Sequence, residues 1–159
     1  MSSKRSGRGV SRPRQPLTKA MLLPTDQASA REQSLSYHLA LAVCRDGHGN
    51  GHLFNELIRV AYITWFLQQA GYGNERVECY KMAEYAVEAA LELADTLDEW
   101  TLAEDVIPVF ERLLALHDAQ LATAPLHKVI EAERQLRHFL AGTAPSPIPE
   151  PDLGNVENH

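Results

Sequence analysis

The stretch His52–Ala70, HLFNELIRVAYITWFLQQA, decides the fold. Its apolar residues lie on nearly every side of a helical wheel, which predicts a helix that packs against neighbours on several sides. Trp65 lies in the middle of this run and should be largely shielded from water. Gly71 predicts the end of the helix, because glycine readily adopts the left-handed conformation of a C-terminal cap. We therefore place this helix at the centre of the molecule.

On both sides of this central helix, apolar residues recur at intervals of three and four, which is the period of amphipathic helices. No segment alternates with the period of two that marks a strand. The pattern predicts four further helices, over Gln27–Arg45, Glu75–Leu97, Thr101–Ala122 and Pro125–Ala141. We expect an all-α fold, a single five-helix bundle over residues 26–142.

Local signals predict the faces and limits of these helices. In the first, the predicted buried stripe is Leu35, Leu39, Ala42 and Val43. In the third, the predicted apolar face is Cys79, Ala83, Ala86, Ala90, Leu93 and Leu97. Thr101 and Glu104 have the spacing of a capping box at the start of the fourth. Pro108 predicts a kink there, or a start delayed by one turn.

Charge divides the chain into three segments. Residues 1–25 carry no acid and six bases, namely Lys4, Arg5, Arg8, Arg12, Arg14 and Lys19. Residues 26–142 carry nine bases and 18 acids, and residues 143–159 carry three acids and no base. Both ends are rich in proline or in small polar residues, and such compositions bury too little apolar surface to order a chain. We expect a flexible basic arm over 1–25, an extended, solvated acidic tail over 143–159, and a bundle that folds without them.

Length and composition exclude several protein classes. A chain of 159 residues with 45% hydrophobic residues suits one globular domain. Cys44 and Cys79 can form at most one pair, so the protein is no disulfide scaffold and suits a reducing compartment. The longest uncharged apolar run, Val60–Ala70, is short of the ~20 residues of a membrane helix, and no signal-peptide core follows the basic N-terminus. We expect a cytoplasmic protein that does not interact with membranes.

Cys44, His48 and His52 are spaced at intervals of four across the first interhelical turn. Cysteine and histidine are the usual ligands of zinc, but a structural site needs four ligands, and no motif supplies the fourth. We therefore expect exposed histidines and a small buried cysteine, and no metal or other cofactor. Nothing in the chain resembles a phosphate-binding glycine loop or a dinucleotide fingerprint.

His117 and Asp118 are adjacent in the fourth predicted helix, followed by Gln120. Adjacent helical residues point ~100° apart, so Asp118 cannot orient His117 as a catalytic dyad requires. No nucleophile can be assigned from spacing either. We expect these three side chains to form hydrogen bonds between helices, and we expect a protein that is not an enzyme.

Glu84, Glu88 and Glu92 follow one another at i, i+4 positions in the third predicted helix, where like charges repel. They predict a solvated acidic face or, alternatively, a docking surface for a basic protein or for the arm of a second copy. The fifth predicted helix is the most basic one, with Lys128, Arg134, Arg137, His127 and His138. Bases near a helix C-terminus also complement the helix dipole, and no helix-turn-helix spacing precedes this helix.

Two segments, 49–73 and Leu116-His117-Asp118-Ala119-Gln120-Leu121, resemble a group of small helical proteins carried by proteobacteria and their phages and plasmids. Some of these are described as Fis-type transcriptional regulators. The resemblance covers roughly residues 40–122 and implies an accessory protein of a mobile genetic element, with no catalytic or ligand residue to transfer. Our hypothesis is a bacterial regulatory protein whose basic arm binds nucleic acid and whose core binds protein or a second copy. The alternative is an interaction or inhibitory factor that acts through the acidic third helix.

Overall fold

The computed structural model describes residues 16–152, and within them the chain forms six α-helices and no strand. The helices are α1 (Lys19–Leu22), α2 (Gln27–Arg45), α3 (Gly51–Gln69), α4 (Val77–Leu97), α5 (Ile107–Thr123) and α6 (Leu126–Ala141). The all-α prediction is confirmed, and the five predicted helices correspond to α2 to α6. No helix in this range has the length and apolar character needed to cross a membrane.

Helix α3 is the centre of the bundle, as predicted, and packs against α2, α4, α5 and α6. Trp65 is only 7% exposed, and its ring meets that of Tyr80 edge to face at 5.2 Å. Asn50 caps the start of α3, since its side chain accepts a hydrogen bond from the Leu53 amide at 3.0 Å. After its end, Gly71 has a φ of 101°, which suits glycine.

The fourth predicted helix starts later than Thr101. A 3-10 turn, Glu104–Val106, precedes α5, and Pro108 occupies its first turn, where the missing amide hydrogen costs little. The expected delayed start is therefore confirmed, but the capping box is wrong. The Thr101 hydroxyl contacts the Leu102 carbonyl instead, because the α-helix begins only at Ile107 and offers no first-turn amide within reach.

The predicted buried stripe of α2 is wrong. Leu35 and Leu39 are 60% and 54% exposed, whereas Ala40, Leu41 and Cys44 are buried against α3 and α5. Helix α2 carries two apolar faces, and packing buries the one that contains Ala40, Leu41 and Cys44, with Tyr37 partly buried beside them. The apolar face of α4 shifts in the same way, since Leu93 and Leu97 are exposed and Val87 and Ala94 are buried in their place.

Residues 16–25 include helix α1 and contact the bundle, which corrects the flexible-arm prediction for these ten residues, whereas residues 1–15 lie outside the described range. Helix α1 packs against α6. The Leu126 amide donates a hydrogen bond to the Leu23 carbonyl at 2.7 Å, and Pro24 and Pro125 form an isolated bridge. These contacts attach the N-terminal segment to the start of α6.

The proline-rich segment after α6 packs on the core, so the prediction of a solvated tail is wrong for its described part. Ile148 is only 2% exposed, and Ser146 donates a hydrogen bond to Glu84 of α4 at 2.6 Å. The physical reason is that Ile148 is the one large aliphatic side chain between residues 143 and 152, and burying it stabilises the folded tail. Residues 153–159 lie outside the described range.

Candidate functional site

The predicted nucleic-acid-binding residues divide into two groups. Lys4, Arg5, Arg8, Arg12 and Arg14 lie outside the described residues. Lys19 lies in α1 and is exposed. Because α1 packs against α6, the base-rich N-terminal segment reaches the fold beside the most basic of the predicted helices.

Helix α6 turns bases toward solvent next to α1. Arg134 and Arg137 are exposed, and Lys128 is half-buried at the first turn. Among residues 16–152, one acid lies within hydrogen-bond distance of these bases: Glu131, whose carboxylate accepts from Arg134 at 2.9 Å. An open groove of about 780 Å³ between α1 and α6 includes Lys128 and Arg134 in its lining. We call Lys19, Lys128, Arg134 and Arg137 the basic surface.

The three glutamates of α4 do not form one exposed face. Glu88 and Glu92 are exposed, but Glu84 is only 3% exposed. Glu84 therefore cannot take part in a docking surface, which corrects the prediction for that residue. The reason is the tail, which crosses from the end of α6 and covers Glu84 with Ser146.

Glu84 is the centre of a buried polar cluster that we call the clasp. Its carboxylate accepts hydrogen bonds from the Tyr62 hydroxyl at 2.7 Å, the Lys81 ammonium at 2.7 Å and the Ser146 hydroxyl at 2.6 Å. Glu150 of the tail accepts from the Tyr85 hydroxyl at 2.8 Å and lies 3.4 Å from Lys81. The clasp therefore joins α3, α4 and the tail.

The clasp keeps its two central charges. Burial acts to raise the pKa of Glu84, but the hydrogen bonds from Lys81, Ser146 and Tyr62 outweigh it, and the net shift is downward. For Lys81, burial acts to lower the pKa, and the hydrogen bond and charge of Glu84 raise it overall. A general acid or base needs a pKa near neutrality, so both shifts go the wrong way for proton transfer. The arrangement fits a structural role.

An uncovered apolar face runs along α4. We call its residues the α4 stripe: Met82, Ala86, Ala89, Leu93 and Leu97. Met82, Ala86, Ala89 and Leu93 line a groove of about 330 Å³ whose other wall includes Ala103, Asp105 and Val106. Sequence reasoning missed this face because it assigned Leu93 and Leu97 to the core.

His117 is buried without a hydrogen bond. It is 1% exposed, and neither ring nitrogen has a partner among the described residues. Burial lowers the pKa of His117 to about 4, so the ring is neutral at physiological pH. Tyr37 meets it edge to face at 5.6 Å. Within the described residues the predicted interhelical hydrogen bond is therefore wrong for His117, whose neighbours are the Tyr37 ring of α2 and the Gln120 side chain of its own helix.

The neighbours of His117 do connect helices. Asp118 turns to the surface and lies 3.1 Å from His38 Nε2 of α2. Gln120 donates to the carbonyl oxygens of Thr64 and Tyr72, at 3.0 and 2.7 Å. These are the structural hydrogen bonds that the sequence predicts for the two residues.

Cys44, His48 and His52 are not brought together. Cys44 is fully buried, whereas both histidines are exposed. Burial raises the pKa of the Cys44 thiol to about 11, which disfavours the thiolate that binds metal. Gly49 packs so closely that a Cβ there would lie 3.0 Å from the Phe54 ring. Within residues 16–152, no group of three His, Cys, Asp or Glu side chains is placed to hold a metal ion.

The chain matches no protein-family model, no curated protein and no solved structure.

Proposed function

We propose that the protein acts by binding a polyanion, above all nucleic acid, through the N-terminal arm and the basic surface. The observation that carries this proposal is the packing of α1 on α6, which attaches the base-rich segment beside Lys128 and Arg134. Phosphate contacts by lysine and arginine supply most non-specific affinity for nucleic acid. A bacterial accessory or regulatory role, without catalysis, fits such binding.

The distribution of charge supports this choice of surface. The exposed acids Glu88, Glu92, Asp95 and Glu99 lie on α4 or just after it. Helices α4 and α6 both pack on α3. Helix α6 carries three bases, Lys128, Arg134 and Arg137, against two acids, Glu131 and Glu133. A polyanion is repelled by the α4 side, so the basic surface is the favourable approach.

The test is fluorescence polarisation of a labelled DNA duplex of mixed sequence, measured at several salt concentrations. Each phosphate contact contributes about −0.9 to the slope of log affinity against log salt. Deletion of residues 1–15, which removes five bases, should flatten the slope by up to about 4.5. Arg134→Ala/Arg137→Ala should flatten it by up to about two.

Glu88→Gln/Glu99→Gln is the matched control, because it neutralises two exposed acids away from the basic surface and should leave the slope unchanged. The proposal is refuted if the affinity of the full-length protein for DNA does not depend on salt. It is also refuted if the arm deletion and the Arg134→Ala/Arg137→Ala variant both keep the salt slope of wild type.

A second candidate function is protein binding through α4. The specific observation in its favour is the α4 stripe, which is apolar, grooved and edged by Glu92 and Asp105. Exposed apolar patches with polar rims commonly mark protein interaction sites.

A further inference from the structure

Two helix faces in residues 16–152 are apolar and uncovered. One is the α4 stripe. The other, which we call the α2 stripe, consists of the exposed residues Ala28, Leu35, Leu39 and Ala42, on the side of the helical wheel opposite Leu41 and Cys44. Leu35 also lines a groove with Asp118 and Leu121 of α5. Leu35 and Leu39 are each more than half exposed. In both stripes apolar residues recur at intervals of three, four or seven, which is the spacing found in helices that pair with other helices.

The two stripes are complementary in size. When α2 lies antiparallel on α4 with Leu35 opposite Ala89, Leu39 lies near Ala86 and Ala42 lies near Met82. Ala28 then lies near Leu97, and Leu93 lies at the level of Arg31 and Glu32. In these four pairs a large side chain faces a small one, which is the pattern that lets two helices interlock.

The two stripes are also complementary in charge. Arg31, His38 and Arg45 follow one edge of the α2 stripe at intervals of seven residues. Glu78 and Glu92 lie on the corresponding edge of the α4 stripe, with the same interval of fourteen as Arg31 and Arg45. In an antiparallel pair, corresponding edges face each other, so Arg31 meets Glu92 as Arg45 meets Glu78.

A third carboxylate, that of Glu150, lies between Glu78 and Glu92 on this edge of the α4 stripe. Tyr85 lies between Glu78 and Glu92, and its hydroxyl holds the carboxylate of Glu150. In the same antiparallel alignment this third carboxylate comes to the level of His38, whose Nε2 lies 3.1 Å from Asp118 of its own chain. Pairing two copies of α2, or two copies of α4, in the same way would instead place like charges opposite each other, which is unfavourable.

We infer that the α4 stripe binds the α2 stripe of a second copy of this chain, head to tail. The inference rests on the second candidate function, binding of protein by α4, and names the partner. Because each copy carries one stripe of each kind, the contact is heterologous and builds open chains or closed rings. One helix pair buries less than the ~800 Å² per partner of a standard interface, so association is weak and depends on concentration.

The experiment measures the mass of the full-length protein by analytical ultracentrifugation across a wide range of concentration, without nucleic acid. The mass of the wild type should rise from 17.7 kDa to twice that value and beyond as the concentration increases. Leu35→Asn/Leu39→Asn and Met82→Asn/Leu93→Asn should each remain monomeric. An equimolar mixture of the two variants should form one dimer and grow no further, because only one intact stripe of each kind remains.

The control is Leu22→Asn/Leu140→Asn, which replaces two equally exposed leucines outside both stripes and should assemble like wild type. A wild type that stays monomeric overturns the inference, even if a foreign basic helix binds α4. A variant in one stripe that still forms dimers also overturns it, since that result means that two identical faces pair. DNA affinity is measured separately, so a failure here leaves the polyanion proposal standing.

Discussion

Lys81→Met should destabilise the fold by about 3–5 kcal/mol at neutral pH, because it leaves the buried Glu84 carboxylate without its cationic partner. The Lys81 side chain is 5% exposed and that of Glu84 is 4% exposed, so solvent does not replace the lost contact. Methionine keeps the length and apolar stem of lysine, so the change removes charge rather than volume. The remaining hydrogen bonds from Tyr62 and Ser146 hold the carboxylate in place.

The loss should depend on pH. In the wild-type fold, the pKa of Glu84 lies below its ordinary value of 4.5. This carboxylate therefore stabilises the fold at neutral pH, and its contribution disappears as the pH falls through the lowered pKa. Without Lys81, burial dominates and favours the protonated acid. The difference in unfolding free energy between variant and wild type should thus be largest near neutrality and shrink below 4.5.

Urea denaturation followed by tryptophan fluorescence measures this difference. With a slope of about 2 kcal/mol per molar urea, the midpoint should fall by about 1.5 to 2.5 M at neutral pH. Arg134→Met is the matched control, since Arg134 and Glu131 form an exposed pair with the same i, i+3 spacing, and its loss should cost less than about 1 kcal/mol. If both variants lost the same amount of unfolding free energy, the claim that Lys81 and Glu84 form a buried ion pair would be refuted.

Three further predictions use the same denaturation assay. Ile148→Ala should lower the free energy of unfolding by about 2 kcal/mol, because it leaves a cavity where the Ile148 side chain packs on the core. Pro149→Ala, at an exposed position, should lower it by less than about 0.5 kcal/mol. Equal effects would mean that the tail does not pack. As the pH falls from 6.5 toward about 4, wild type should lose up to about 3 kcal/mol of unfolding free energy at His117, since the unfolded chain binds a proton there and the buried ring does not. His117→Leu should lack this part of the acid-dependent loss. Parallel pH profiles of the two proteins would contradict this. Trp65→Ala should cost about 3–5 kcal/mol and Leu39→Ala less than about 0.5, and the reverse order would contradict the assignment of their faces.

The positions of the long helices could be predicted from the sequence because their signals are local. The bounds of α2 are those expected, Gln27–Arg45, since Asp26 caps its first turn by accepting from the Ser29 amide and a glycine-rich turn follows its end. The central place of α3 was equally predictable, because a helix that is apolar all round must be covered all round.

The residues of the candidate site could be predicted from the sequence, but their arrangement in space could not. The six bases of the arm and the acids of α4 are countable from the sequence, since charge belongs to each residue separately. Their arrangement is not, because α1 meets α6 only through contacts between residues more than a hundred positions apart, such as Leu23 with Leu126.

Tertiary packing alone decided which surfaces are exposed. Helix α2 has two apolar faces of similar weight, and periodicity fixes their spacing but not which of them meets α3 and α5. Glu84 has the same local pattern as Glu88, yet only Glu84 is buried, because the tail folds back over it with Ser146 and Ile148. A side chain's burial depends on what lies across from it, and that partner comes from a distant part of the chain.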